Sequence, residues 1–236
     1  MPSGQARGTR ASIAIQLALF LVAAALLLPA VTPADAVSGG AWIKLLFLAR
    51  VVALVGLAHG MLRAQGRGWS DVGLRRPDGR RLVIALAAGL AMVMLVSPVA
   101  RAVILSLGLP APDYAAFAPI RGRLGEYLFW ALPVTLGTAA LGEELLFRGF
   151  VMDALQRLIG GSATAAIMAA LVLQALIFGA LHFYQGAGGM IVAGATGLAL
   201  GLTWLLAGRT LWAGIILHAL LDGFAMTAIY LGAVAT

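Results

Sequence analysis

Apolar residues come in long blocks along almost the whole chain, separated by short polar stretches. The blocks run from about Ser12 to Ala30, Trp42 to Leu62 and Leu82 to Leu107. A fourth long segment starts near Leu124 and reaches Leu158, and three more cover about Ser162 to Tyr184, Met190 to Ala207 and Leu211 to Leu231. Runs of about 20 apolar residues are long enough, as helices, to cross a hydrocarbon core of about 30 Å. The pattern predicts an all-α, polytopic membrane helix bundle with seven or eight transmembrane helices, the eighth arising if the fourth segment is broken. About 35 residues at 1.5 Å each exceed 50 Å, so that segment must tilt, kink at Pro133 or Gly142, or project beyond the bilayer.

Punctuation between the blocks is specific. Residues Val31 to Gly40 hold Pro33 and Asp35 and no Lys or Arg, as an outer loop would. Gly73, Pro77 and Asp78-Gly79 break the connector after the second block. Pro98 predicts a kink in the third helix, with Arg101 towards its outer end. Pro110, Pro112 and Pro119 fall between Gly108 and Arg123, the longest stretch without strong helical pattern, and Gly160-Gly161 ends the fourth segment. Two small-residue patterns, Gly56-x-x-x-Gly60 and Gly197-x-x-x-Gly201, predict close helix packing.

Composition agrees with a bilayer solvent: 62% of residues are hydrophobic, 11% are charged, and mean hydropathy is +1.00. A net charge of +7 would suit nucleic acid, but the arginines gather at the ends of apolar blocks, where membrane topology accounts for them. Arg7 and Arg10 precede the first block, and Arg63, Arg67, Arg75, Arg76, Arg80 and Arg81 follow the second, which places the amino end and this loop in the cytoplasm of a multi-pass cell-membrane protein. Arg157 and Arg209 mark further cytoplasmic turns, and Gly186 to Gly189 an outer one. A competing reading of the first block is a secretory signal with cleavage near Ala34-Asp35-Ala36, although the block exceeds the usual signal core. With no cysteine, thiolate chemistry and disulfides are excluded, and any metal must use His and carboxylate ligands.

Against this background the stretch Gly142 to Phe150, GEELLFRGF, stands apart. Two of the three glutamates of the chain are here, beside an arginine, at membrane depth. Charges there are costly and usually face a protein cavity. Glu144 and Arg148 are four apart and can pair, while Glu143 points about 100° away and is left free. Phe178 and His182 lie one helical turn apart, as do His218 and Asp222. His59 stands alone and is read as a packing residue.

If the Gly160-Gly161 turn joins an antiparallel pair, Glu143 lies about 17 residues before it and His182 about 21 after, an axial offset of about 6 Å. His218 reaches their level if this hairpin projects roughly 13 Å further into the cytoplasm. That register predicts a site in the cytoplasmic half of the membrane. A Glu beside a neutral His can activate water, and a second His can stabilise an oxyanion. Equally, Glu143, His182 and His218 could hold zinc with water in the open position; no HExxH is present.

Together these motifs resemble the CPBP family, the CAAX-protease and bacteriocin-processing group that includes the Ras-converting-enzyme type of endopeptidase. EExxxR appears as Glu143 to Arg148, FxxxH as Phe178 to His182, and HxxxN/D as His218 to Asp222. The resemblance implies an intramembrane endopeptidase core over 124–231, with 1–123 supplying amino-terminal helices and the basic loop. It implies Glu143 as general base with His182, Arg148 holding Glu144, Phe178 in support, and His218 with residue 222 at the oxyanion. A glutamate-type mechanism is expected ahead of a zinc metalloprotease one. Asp at 222 departs from Asn, since an ionised Asp cannot donate a hydrogen bond. The expected partners are the bilayer and a peptide or protein substrate, membrane-bound or lipidated, with CAAX-type processing one case. Two other functions fit the same cluster: a non-catalytic membrane scaffold or immunity-type protein, and a small proton-coupled transporter.

Overall fold

The computed structural model describes residues 8–160 and 163–233; Arg7, Gly161, Ser162 and the last three residues lie outside the described residues. Among the described residues there are nine α-helices, one π-helix, three 3₁₀ turns and no strand. The α-helices are α1 Arg10–Leu27, α2 Pro33–Ser38, α3 Ala41–Ala64, α4 Gly79–Ser106, α5 Leu124–Phe129, α6 Met152–Ile159, α7 Ala163–Ala180, α8 Gly186–Leu206 and α9 Leu211–Tyr230. The π-helix, Trp130–Val151, joins α5 to α6 without interruption.

Helix starts follow short-range chemistry. The Thr9 hydroxyl accepts from Ser12 N at 3.2 Å ahead of α1, and Asp78 accepts from Arg81 N at 2.8 Å ahead of α4. Each satisfies an amide that the first turn leaves without a partner. The expected outer loop 31–40 contains α2, because Thr32 and Asp35 form a reciprocal capping box around Pro33. Likewise, the 108–123 loop holds a 3₁₀ turn, Ala115–Ile120, which buries Phe117 and Ile120.

Six spans are long and apolar enough to cross a membrane, and a seventh helix, Thr164–Ala180, is apolar but shorter. The fourth span, Leu124–Ile159, is a single stretch of 36 residues, so the break that would give an eighth helix is absent. Its central part winds with wider i→i+5 pairing: the Met152 amide donates to Phe147 O. Such winding is rare beyond one turn and frequently found at functional sites. Large apolar side chains such as Leu26, Val83, Leu95 and Leu105 face outward, as expected of a multi-pass integral membrane protein.

Lipid is as apolar as leucine, so close packing rather than hydrophobicity must hold the helices together. Gly179 on α7 lies against Met190 O of α8, where an added β-carbon would stand 2.6 Å from that carbonyl. Gly197 and Gly201 bring α8 onto Phe178 and Leu171 of α7, as their spacing predicts. Gly56 and Gly60 do not behave so: both are exposed on α3 and face no neighbouring atom. The main buried cluster draws on both sides of residue 124, combining Leu17 and Phe20 of α1 and Leu54 of α3 with Phe147 and Phe150 of the π-helix, Leu171 of α7 and Leu211 of α9.

The connections gather at two ends. At the arginine-rich end, Arg67 meets Asp153 at 2.5 and 2.7 Å, Arg157 bonds to Gln65, and the 69–76 connection is tied to 208–211 through Arg75, Thr210 and Leu211. Beside Asp153, hydrogen bonding raises the Arg67 pKa above its ordinary value, keeping the pair charged. At the other end, Asp113 N donates to Gln185 O and Gly122 N to Tyr230 O, while Phe47 and Phe117 stack edge-on against Trp130.

Candidate active site

The GEELLFRGF stretch lies near the end of the π-helix, and its two glutamates have different surroundings. Glu144 is fully buried, with Oε1 2.8 Å from Arg148 Nη1 and 3.2 Å from His218 Nδ1. Arg148, also buried, donates from Nη2 to Gly197 O at 2.9 Å and lies over the Phe178 ring at 4.8 Å. Gln174 donates to the same Gly197 carbonyl at 3.0 Å. The carboxylate packs against Gly214 of α9, where an added β-carbon would overlap it. A buried charge pair is tolerated only when its geometry is good and further hydrogen bonds complete it.

Glu143 instead lines a cavity of about 530 Å³ and takes part in no hydrogen bond or ion pair among the described residues. Phe178, His182, His218 and Asp222 line the same cavity, whereas Glu144 and Arg148 do not. The sequence expectation of one paired and one free carboxylate therefore describes the geometry.

His182 sits beyond the predicted helix. α7 ends at Ala180, and the His182 amide closes a tighter turn onto Gly179 O at 3.0 Å. Its Nδ1 lies 2.8 Å from Phe178 O. A carbonyl can only accept, so Nδ1 carries a proton, and the tautomer this bond selects is the one whose lone pair is on Nε2. Phe178 organises the group: its ring centroid is 4.6 Å from that of His182, 6.3 Å from His218 and 5.0 Å from Phe147.

His218 is held at both nitrogens, by Glu144 at Nδ1 and by Asp222 Oδ2 at 3.4 Å from Nε2. Ionised Glu144 can only accept, so Nδ1 is protonated. Among the described residues no three His, Asp or Glu side chains converge as a metal-ligand set. Both His218 nitrogens thus face carboxylates, Nδ1 that of Glu144 and Nε2 that of Asp222.

The cavity reaches the connections of the arginine-poor end, through Pro29, Thr32, Tyr114 and Gln185, and none of its lining comes from the connections at the arginine-rich end. The register estimate, which assigned the site to the cytoplasmic half, assumed α-helical rise through a segment that winds as a π-helix and a long helix through His182. Burial pushes the Tyr114 hydroxyl above its ordinary pKa, and Asp222 acts in the same direction, so this phenol remains a neutral donor. His59 lies outside the site, exposed on α3 with its ring 6.1 Å from Trp69.

Several site residues escaped the sequence reading. Arg50, Tyr114 and Thr138 line the cavity, while Gln174 and Gly214 support it from behind. Arg50 and Gln174 had a legible signal, a polar residue deep in an apolar block; Gly214 had none.

Residues 125–224, a little under half of the chain, match the family model of Rce1-like type II CAAX prenyl endopeptidases. All three motifs fall within the match. No curated protein and no solved structure matches the chain.

Proposed function

Because residues 125–224 match the Rce1-like family model, we propose that this protein is an intramembrane endopeptidase that hydrolyses a peptide bond with water activated by Glu143 and His182. The carrying observation is the contrast between the carboxylates: Glu144 is occupied by Arg148 and His218, while Glu143 faces the cavity without a partner. An unpaired carboxylate at membrane depth makes no contribution to packing that would offset its cost, and an empty general base is what hydrolysis requires.

In this mechanism Glu143 takes a proton from water while the free Nε2 of His182 orients it. The water oxygen forms a bond to the scissile carbonyl carbon, and the carbonyl π pair moves to oxygen. His218 and Asp222 hold a proton between Nε2 and Oδ2, and its donation to the oxyanion stabilises the intermediate. Collapse breaks the carbon–nitrogen bond, and the leaving amine takes the proton stored on Glu143. Asp222 fills the family's Asn position provided that it carries or positions this shared proton. Metal-free chemistry is favoured over zinc because both His218 nitrogens already face carboxylates, so His218 would have to leave Asp222 to join Glu143 and His182 on a metal.

The cavity volume lies within the range of small-ligand pockets, about 300–1,000 Å³, and its walls include Phe20, Leu28, Phe47 and Phe117. These features support an apolar peptide segment as substrate, lipidated CAAX peptides among them, entering from the arginine-poor end.

The test is cleavage of a quenched peptide library, including prenylated CAAX members, by detergent-purified wild type, Glu143→Ala and His182→Ala, with zinc assayed on the same samples. Turnover by the wild type that both substitutions abolish supports the proposal. Turnover unchanged in the variants, or none in folded wild type across the library, counts against it and favours the scaffold reading.

A further inference from the structure

Arg50 lies near the middle of α3, inside an apolar block, where a permanent positive charge is expensive and normally has a stated partner. Lys44, Arg67, Arg123, Arg148 and Arg157 each face a carboxylate. Arg50 forms no ion pair among the described residues, and Glu143 acts on it only at longer range. Its Nε donates to Phe47 O at 3.0 Å, its Nη1 donates to Leu28 O, and its guanidinium lies flat on the Phe47 ring, 3.8 Å from the centroid.

These contacts fix the plane of the group without neutralising it. Nη2 takes part in no hydrogen bond among the described residues, and the side chain is only half-buried. It lines the same cavity as Glu143 and is the one Lys or Arg among the lining residues. Glu143 and Asp222 on that wall disfavour an anion beside them, and His218 is held between Glu144 and Asp222, so Arg50 is the cation left open to an acidic group of the substrate.

We infer that Arg50 is the anchor of a carboxylate-binding subsite, which fixes the register of a bound peptide relative to Glu143 by taking an acidic group of the substrate on its free guanidinium edge. The inference rests on the endopeptidase reading of the cavity. A peptide carboxylate is favoured over a lipid phosphate because the subsite is continuous with the water-activating groups. A resident lipid would block them. The planar guanidinium suits a carboxylate, which it grips through parallel N–H donors. The acid has two possible sources, the carboxyl terminus or an Asp or Glu side chain.

The experiment uses full-length protein and a fluorescent prenylated CAAX-type peptide in three forms: free acid, carboxamide, and carboxamide with one internal Asp. Binding is measured on Glu143→Gln and turnover on the wild type. An acid-bearing form should bind about 10- to 100-fold more tightly than the plain carboxamide. Preference for the free acid identifies the terminus, and preference for the Asp form identifies a side chain. Arg50→Gln, added to Glu143→Gln, should erase the preference, while Arg50→Lys retains part of it. Equal binding of all three forms, or a preference that survives Arg50→Gln, overturns the subsite while leaving the endopeptidase standing. Discriminating binding with no turnover overturns the hydrolytic reading and retains an anion site. The comparison of peptide forms needs no Arg50 variant, so a misfolded substitution cannot mask the result.

Discussion

Gly214 and Glu144 share one space: the carboxylate occupies the position that a β-carbon on Gly214 would take. α9 can therefore present His218 to Glu144 at 3.2 Å only while residue 214 has no side chain. Gly214→Ala should displace the carboxylate and disturb its contacts with Arg148 and His218. A loss of about 1–3 kcal/mol is expected from overpacking alone. Thermal unfolding in detergent beside peptide turnover checks this, and an unchanged transition with full activity would argue against the fit.

Glu143 and Glu144 should separate by the property each controls. Glu143→Gln removes a general base and is expected to lower kcat by about 10²- to 10⁴-fold. With no partner lost, its unfolding transition should stay where it is or rise. Arg148→Ala, by contrast, strands Glu144 in the interior and should cost about 3–5 kcal/mol of stability. Equal destabilisation by both substitutions would contradict the division of labour.

The Glu144 and Arg148 pair should also be strongly non-additive. Replacing both, as Glu144→Gln with Arg148→Met, leaves neither charge buried and should destabilise less than Arg148→Ala alone. A double-mutant cycle on unfolding free energies measures the coupling; additive losses would mean that the ion pair observed at 2.8 Å contributes little.

Asp222 is tested by its amide. Asp222→Asn keeps a donor at the same place and should retain activity within about tenfold, whereas Asp222→Ala removes it at a cost of about 10²- to 10³-fold in kcat. Loss of activity in Asp222→Asn accompanied by loss of bound zinc would support a metal mechanism instead.

Much of the bundle was legible because bilayer thickness sets the length of apolar blocks, and seven of the helices lie close to the predicted blocks. The motifs EExxxR, FxxxH and HxxxD were legible as candidates for the same reason, being polar groups where polarity is costly. What the chain does not encode locally is which neighbour a face meets. Gly56-x-x-x-Gly60 and Gly197-x-x-x-Gly201 have identical spacing, yet only the second pair touches another helix. Spacing fixes a face, and tertiary packing supplies or withholds its partner. The π-winding of Trp130–Val151 was likewise unreadable, since a hydrophobic block has no period sharp enough to distinguish i→i+4 from i→i+5 pairing.

The glycines at helix crossings differ in how replaceable they are. At Gly201 and Gly142 the obstructing atoms belong to the side chains of Leu171 and Val51, so a second substitution to a smaller residue could restore the fit. At Gly179 the obstruction is the main-chain carbonyl of Met190, with Gly194 beside it. A carbonyl cannot be mutated away. Every residue type at position 190 carries the same carbonyl, so no side-chain replacement there makes room at 179, whereas a smaller residue at 171 makes room at 201.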